Sequence, residues 1–143
     1  MRYLPTVCCA GLLALVSLAT ADEAGKQATP AAAPGVIFSS PLADVPGKHL
    51  VVVALDFGPP AREHSLPHRH PGSVYVYVTK GTVRLGLEGQ PVKVVHAGES
   101  FFEPMGAVHT VAENVSATEP AAAIAVMMVP DGAPLLIKET PKR

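Results

Sequence analysis

The sequence predicts an all-β fold, a sandwich or barrel built from short strands. Apolar runs rich in β-branched residues alternate with Gly and Pro at a spacing of roughly 8–12 residues, which is typical of antiparallel β-domains. No segment carries a helical period of useful length, and the chain has no internal repeat. The 143 residues are enough for one domain.

The strand predictions follow the apolar runs in chain order. Residues 48–57 form the first long strand, because their β-branched run is bounded by Gly47 and by Gly58-Pro59-Pro60. Residues 73–79 alternate, with valines on one face and tyrosines on the other. The other predicted strands are short and are separated by turn residues: 36–38, 83–87, 92–95, 100–103, 108–111, 121–129 and 135–138.

The N-terminus has the pattern of a secretory signal peptide, predicted over residues 1–21. Arg2 precedes an apolar run at 7–19, and Ala19-Thr20-Ala21 is a cleavage signal followed by polar residues. The run is shorter than the ~20 residues needed to span a bilayer. We therefore expect cleavage after Ala21 and an exported protein, periplasmic or extracellular, with no membrane attachment after cleavage.

Both cysteines, Cys8 and Cys9, leave with this signal peptide. They lie ahead of most of the apolar run, whereas a lipid-modified cysteine would follow it, so a lipoprotein is not expected. The mature chain then has neither a disulfide nor thiolate chemistry.

Composition sets limits on the rest of the chain. The formal net charge is −1, which gives no argument for nucleic acid or an anionic membrane as a partner. Residues 22–35 lack bulky apolar side chains and are predicted to be a disordered linker. We expect the folded domain over 36–138 and a short tail at 139–143.

Three histidines stand in a pattern that suits a metal. His68 and His70 are separated by one residue, and in a strand side chains at i and i+2 share a face. His109 follows a Pro-x-Gly turn further along the chain. Three neutral imidazoles converging from two strands would make a facial metal site with open positions for water or substrate.

The motifs around these histidines resemble those of the cupin family. The family's second motif is Gly, five residues, Pro-x-Gly, two residues and His, and Gly98, Pro104-Met105-Gly106 and His109 match it completely. Its first motif is His-x-His, three or four residues, Glu, six residues and Gly. His68-Arg69-His70 and Gly81 match the first motif except at the glutamate.

Val74 stands at that glutamate position when residues are counted back from Gly81. The resemblance covers roughly residues 51–129 and implies a small jelly-roll β-barrel, a homodimer and a small-molecule ligand or substrate. In the family the missing glutamate binds the metal, and valine cannot. The departure at Val74 therefore bears on function more than the matches do.

Two interpretations of Val74 stay open. A three-histidine site, as in some cupin-like oxygenases, would keep the full dipositive charge of the metal and would favour anionic, chelating substrates. Alternatively the glutamate was lost together with activity, which would leave a weak metal site or an empty pocket.

The sequence thus predicts a metalloprotein that acts on or binds a small molecule. Its divalent transition metal, one of Fe, Mn, Ni, Cu or Zn, would be held by His68, His70 and His109. The first hypothesis is a metal-dependent oxygenase. The alternative is a non-catalytic ligand-binding or sensor barrel with weak or no metal.

The remaining polar candidates are interpreted as lying outside the metal site. Glu103 could supply the missing carboxylate, but it precedes a proline bend and is interpreted as a solvated rim residue. His64 is placed near the barrel mouth, within reach of a substrate. His49 and His96 are expected to face solvent, and Arg69 points away from its two histidine neighbours.

Two other sequence features have structural interpretations. Asn114-Val115-Ser116 is a glycosylation sequon, relevant only in a eukaryotic host. Several large side chains are predicted to lie in the core or in a dimer interface: Tyr75, Tyr77, Phe101, Phe102, Met127 and Met128.

Overall fold

The computed structural model describes residues 35–59 and 67–140, and within these ranges the chain is built from strands without a helix. The predicted signal peptide, nearly all of the predicted linker, His64 and the end of the predicted tail lie outside the described residues. The described strands are β1 Val36–Pro41, β2 Lys48–Phe57, β3 His68–Arg69, β4 Ser73–Lys80, β5 Thr82–Leu87, β6 Lys93–His96, β7 Ser100–Glu103, β8 Val108–Asn114, β9 Ala121–Pro130 and β10 Ile137–Lys138.

These strands form two antiparallel five-stranded sheets. The first sheet has the order β1-β2-β9-β4-β7, and the second sheet has the order β10-β3-β8-β5-β6. From β2 onward the chain passes repeatedly from one sheet to the other, so that neighbours in sequence often lie in opposite layers. This is an all-β, jelly-roll-like fold, as the sequence predicts. None of the described segments is a helix long and apolar enough to span a membrane.

The core lies between the two sheets and follows the alternation of β4. Val74, Val76 and Val78 are buried, whereas Tyr75 and Tyr77 face outward. Strand β9, which pairs with β4, buries alanines, a methionine and a valine on the same face. Because small residues occupy the middle of this face, the two layers leave a cavity between them.

Glycine is required where the chain crosses from β3 to β4. A Cβ atom on Gly72 would lie 1.8 Å from the carbonyl oxygen of Met128, so the backbone there approaches β9 more closely than any side chain permits. Gly81, at the β4–β5 turn, has a φ of 71°, in the left-handed region that favours glycine. The first of these glycines anchors the segment that follows His70 against the first sheet.

The predicted sequon is part of the folded framework. Asn114 is buried, and its side-chain nitrogen donates hydrogen bonds to the carbonyl oxygens of Phe57 at 3.1 Å and Glu119 at 2.8 Å. Its side-chain oxygen accepts from the Ser116 amide at 2.9 Å. In the folded chain this asparagine therefore joins the ends of β2 and β8.

Candidate metal centre

The three sequence-predicted histidines meet on the inner face of the second sheet. His68 in β3 and His109 in β8 are directly opposite each other in the antiparallel ladder. Opposite residues of a ladder share a face, and both side chains are buried, at 4% and 5% exposure. His70 follows β3 by one residue and lies beside His68.

The three imidazoles are close enough to share one ion. Their ligand atoms all lie within 4.8 Å of one another. The Nε2 atoms of His68 and His70 are 3.2 Å apart. Two imidazole nitrogens approach this closely when they share a proton or a cation, so the cluster could hold a metal.

The protonation of His70 follows from its backbone contact. Its Nδ1 lies 2.6 Å from the carbonyl oxygen of Leu135, and because a carbonyl only accepts, Nδ1 must carry the proton. The lone pair is then on Nε2, which faces His68. Burial lowers the pKa of His70, and the bond to Leu135 opposes that shift only in part. His70 is therefore neutral at neutral pH, which is the form that binds metals.

Glu103 joins this cluster from the first sheet. Its Oε2 lies 3.6 Å from His70 Nε2, and its Oε1 lies 3.7 Å from His109 Nδ1. The residue is only 3% exposed, so its interpretation as a solvated rim residue is wrong. Strand β7 alternates, with Phe101 and Glu103 buried, and the bend at Pro104 comes too late to turn Glu103 outward.

This burial has an electrostatic consequence. Desolvation raises the pKa of Glu103 from 4.5 to about 7. Among the described residues its Oε2 finds no hydrogen-bond partner. The barrel thus holds a carboxyl group that water does not stabilise, and a cation placed among the histidines would stabilise its charged form.

Val74 is the direct cross-strand partner of Glu103. It is 1% exposed and faces the interior, as counting the motif back from Gly81 predicts. The carboxylate that the first motif lacks in β4 is therefore present on the neighbouring strand β7. On sequence alone Glu103 is a candidate for this role but is interpreted as a rim residue, although its alternation with the core residue Phe101 favours the interior.

A cavity of about 240 Å³ lies next to the histidines, between the sheets. Apart from His68, His70 and His109, the described residues that line it are apolar: Val53, Leu55, Phe57, Val76, Leu85, Ala112, Ala125, Met127, Leu135 and Leu136. The cavity can therefore hold a small molecule whose polar contacts are made at the histidine wall.

The other polar candidates lie elsewhere. Arg69 is exposed and pairs with Glu139, with Nε and Oε1 3.0 Å apart, which confirms that it points away from the cluster. His96 is exposed, as expected. The expectation for His49 is wrong in part, because its side chain is only 14% exposed and its Nδ1 contacts Asp131 at 2.6 Å. It is not a member of the histidine cluster.

The large side chains divide by face. Phe101 and Met127 are buried, and the Phe101 ring stacks on His109 with centroids 6.4 Å apart. The others are exposed, with surfaces between 37% and 57% accessible: Tyr75, Tyr77, Phe102 and Met128. The first pair are core residues, and the second group forms an apolar strip on the outside of the first sheet.

Known proteins share this architecture. The sequence pattern of the cupin domain family matches residues 58–127. A conserved protein with a double-stranded β-helix domain from Klebsiella pneumoniae aligns with a TM-score of 0.56 at 22% identity, over 78% of this chain and 90% of its own. A cupin-2 domain protein from Rhodospirillum rubrum aligns with a TM-score of 0.52 at 18% identity, over 79% of this chain and 72% of its own. No curated protein matches the chain.

An enzyme is also among the similar structures. Oxalate oxidase in complex with the substrate analogue glycolate aligns with a TM-score of 0.50 at 29% identity, over 64% of this chain and 46% of its own. The fold and the inward-facing histidine cluster define a small jelly-roll barrel with a candidate metal centre. The chain belongs to the cupin superfamily.

Proposed function

We propose that this cupin binds a divalent transition metal, one of Fe, Mn, Ni, Cu or Zn, through His68, His70 and His109. The observation that carries the proposal is the convergence of three imidazole ligand atoms within 4.8 Å on a buried wall. The Leu135 carbonyl accepts a hydrogen bond from Nδ1 of His70, and such a bond on the non-ligating nitrogen is typical of a histidine that binds a metal.

The ligand or substrate we propose is a small chelating anion such as a carboxylate. The described residues that line the cavity include no lysine or arginine, so the metal would supply the positive charge that attracts an anion. Apolar walls strengthen such an attraction because they exclude water. The likeness to oxalate oxidase, whose structure holds glycolate, supports the same chemical class.

The first candidate activity is a metal-dependent oxygenase reaction. The metal would supply Lewis-acid and redox chemistry, and the apolar walls would position the substrate and keep water out. The second candidate is a binding or sensor barrel without turnover. Its supporting observation is that, among the described residues, those lining the cavity include no acid or base besides the histidines.

Metal analysis of the purified, untagged protein tests the proposal directly. We expect close to one equivalent of a divalent transition metal per chain, and carboxylates that bind to the loaded protein but not to the chelator-treated one. Oxygen uptake with ¹⁸O from labelled O2 incorporated into the product would identify an oxygenase, whereas affinity without turnover would identify a binding module. A protein that takes up none of the five metals would refute the proposal.

We also propose that the protein is exported and forms a homodimer. The signal-peptide pattern at 1–21 supports export, and the strip of exposed apolar side chains on the first sheet supports self-association. Intact mass should place the mature N-terminus at Asp22, and sedimentation should give twice the chain mass. A retained Cys8 or Cys9 would contradict the maturation site.

A further inference from the structure

We propose that Glu103 is a fourth protein ligand of the metal, supplied by the opposite sheet from the histidines. The inference rests on the proposed three-histidine site and goes beyond it. It replaces a site of three neutral nitrogens by one of three nitrogens and a carboxylate oxygen. With a divalent ion, the charge left at the centre would be +1 rather than +2, which is still attractive to an anionic ligand.

The first argument is the spacing of the donor atoms. Two donors that each lie about 2.1 Å from one ion are about 3.0 Å apart at a bond angle of 90° and about 3.6 Å apart at 120°. The distance from His68 Nε2 to His70 Nε2 is 3.2 Å, and from His70 Nε2 to Glu103 Oε2 it is 3.6 Å. Both separations are those of neighbouring ligands around one ion.

The second argument is the side of the ring that Glu103 approaches. A carboxylate that only orients a ligating histidine must accept from its non-ligating nitrogen. For His70 that nitrogen is Nδ1, which the Leu135 carbonyl already occupies at 2.6 Å. Glu103 instead faces Nε2, which carries the lone pair. It therefore lies where the ion would be, not behind the ring.

The third argument is the cost of burying this side chain. The side chain of Glu103 is 4% exposed, and its Oε2 lacks a hydrogen-bond partner among the described residues. Buried charges in proteins are paired or coordinate metals. Among the described residues, the titratable groups that this carboxylate contacts are two imidazoles, His70 and His109, and a cation shared with them would account for its position.

Register explains how β7 can supply the ligand. Val74 and Glu103 are directly opposite in the ladder, and Cβ atoms of such pairs are about 4.5–5.5 Å apart. A glutamate at either position starts from the same inner face and can reach the same point. The structure therefore predicts that the carboxylate can be exchanged across the ladder.

The experiment uses four proteins stripped of metal and titrated with Zn²⁺ and Co²⁺: the parent, Glu103→Val, the exchange variant Val74→Glu/Glu103→Val, and Glu119→Gln. Glu119 is an exposed carboxylate outside the barrel interior and serves as the matched control. We expect Glu103→Val to lose about tenfold to hundredfold in metal affinity and to change the Co²⁺ absorption bands. The exchange variant should recover most of the affinity, and Glu119→Gln should behave like the parent.

Thermal melts in chelator separate ligation from folding. Glu103→Val should melt no lower than the parent, because it removes an unpartnered buried acid. Parental affinity in Glu103→Val would overturn the inference and leave the three-histidine proposal intact. Weakened affinity with unchanged Co²⁺ bands would overturn it as well, because Glu103 would then act through His109. If the parent itself binds no metal, the proposed function fails first.

Discussion

The two sheets contribute to the candidate centre in unequal ways. In the second sheet the ladder pair that faces the cavity, His68 and His109, consists of two nitrogen donors. In the first sheet the pair Val74 and Glu103 consists of one apolar residue and one carboxyl. Val74 and Glu103 are opposite each other in the ladder and face the same interior, so a carboxylate at either position would enter the barrel at nearly the same point. A motif read along β4 alone does not include the carboxylate on the neighbouring strand β7.

The two contributions also differ in what they cost the metal-free protein. A buried imidazole avoids the penalty by staying neutral, as the lowered pKa of His70 shows. A buried carboxyl is either protonated, as the raised pKa of about 7 indicates for Glu103, or charged without a compensating partner. Without metal, burying the neutral His70 therefore costs little free energy, whereas burying the Glu103 carboxyl destabilises the folded protein.

Adding a second carboxylate to the first sheet should have the largest effect on the difference between the two sheets. Val74→Glu would place two acids opposite each other in the barrel. Keeping the new group ionised near neutral pH, together with overpacking, should cost about 4 kcal/mol or more of unfolding free energy in chelator. This corresponds to roughly 15 °C in melting temperature. Added Zn²⁺ should recover more of the loss than it stabilises the parent, because it binds only the folded state.

Val78→Glu is the matched control for this variant. Val78 is buried on the same face of β4, with 0% exposure against 1% for Val74, but it pairs with Ala123 away from the histidines. It should be destabilised to a similar degree and gain nothing from Zn²⁺. Equal metal rescue of both variants would show that position 74 has no special relation to the centre.

The pH dependence of the metal-free protein measures the strain on Glu103. Between pH 4.5 and 7 the unfolded chain has lost the Glu103 proton while the folded chain keeps it. The folded state then binds more protons, so its stability falls as pH rises through this window, by about 3 kcal/mol from this group. Glu103→Gln should lack this contribution.

Denaturant unfolding in chelator at several pH values checks the prediction. The difference in unfolding free energy between parent and Glu103→Gln is the quantity to follow, since His70 contributes to both proteins. Its lowered pKa acts in the opposite sense and makes both less stable as pH falls below 6.5. A difference that stays constant with pH would mean that Glu103 has an ordinary pKa in the folded state.

The second sheet is probed by removing one of its donors. His109→Ala should weaken Zn²⁺ binding by about a hundredfold, or about 2.8 kcal/mol, because the ion loses a ligand from the buried wall. His49→Ala removes a histidine that pairs with Asp131 outside the cluster and should leave the affinity unchanged. Isothermal titration of both variants makes the comparison, and equal losses would show that the centre lies elsewhere.

Local pattern was sufficient to predict much of this protein. The alternation of 73–79 predicted a strand with valines on one face and tyrosines on the other, and Gly/Pro spacing predicted an all-β domain, because both depend on residues close in sequence. The two histidine motifs predicted which imidazoles would converge. In the structure His68 and His109 pair across the ladder, and the ligand atoms of all three histidines lie within 4.8 Å of one another.

Tertiary structure decided what depends on partners distant in sequence. The neighbour of Val74 is Glu103 only because β4 and β7 pair in this register, and a one-residue shift would turn Glu103 away from the interior. The tautomer of His70 depends on the Leu135 carbonyl, 65 residues further along the chain. Local alternation determines the face on which a side chain lies. Long-range pairing determines what it meets there, because packing brings together strands that no short stretch of sequence connects.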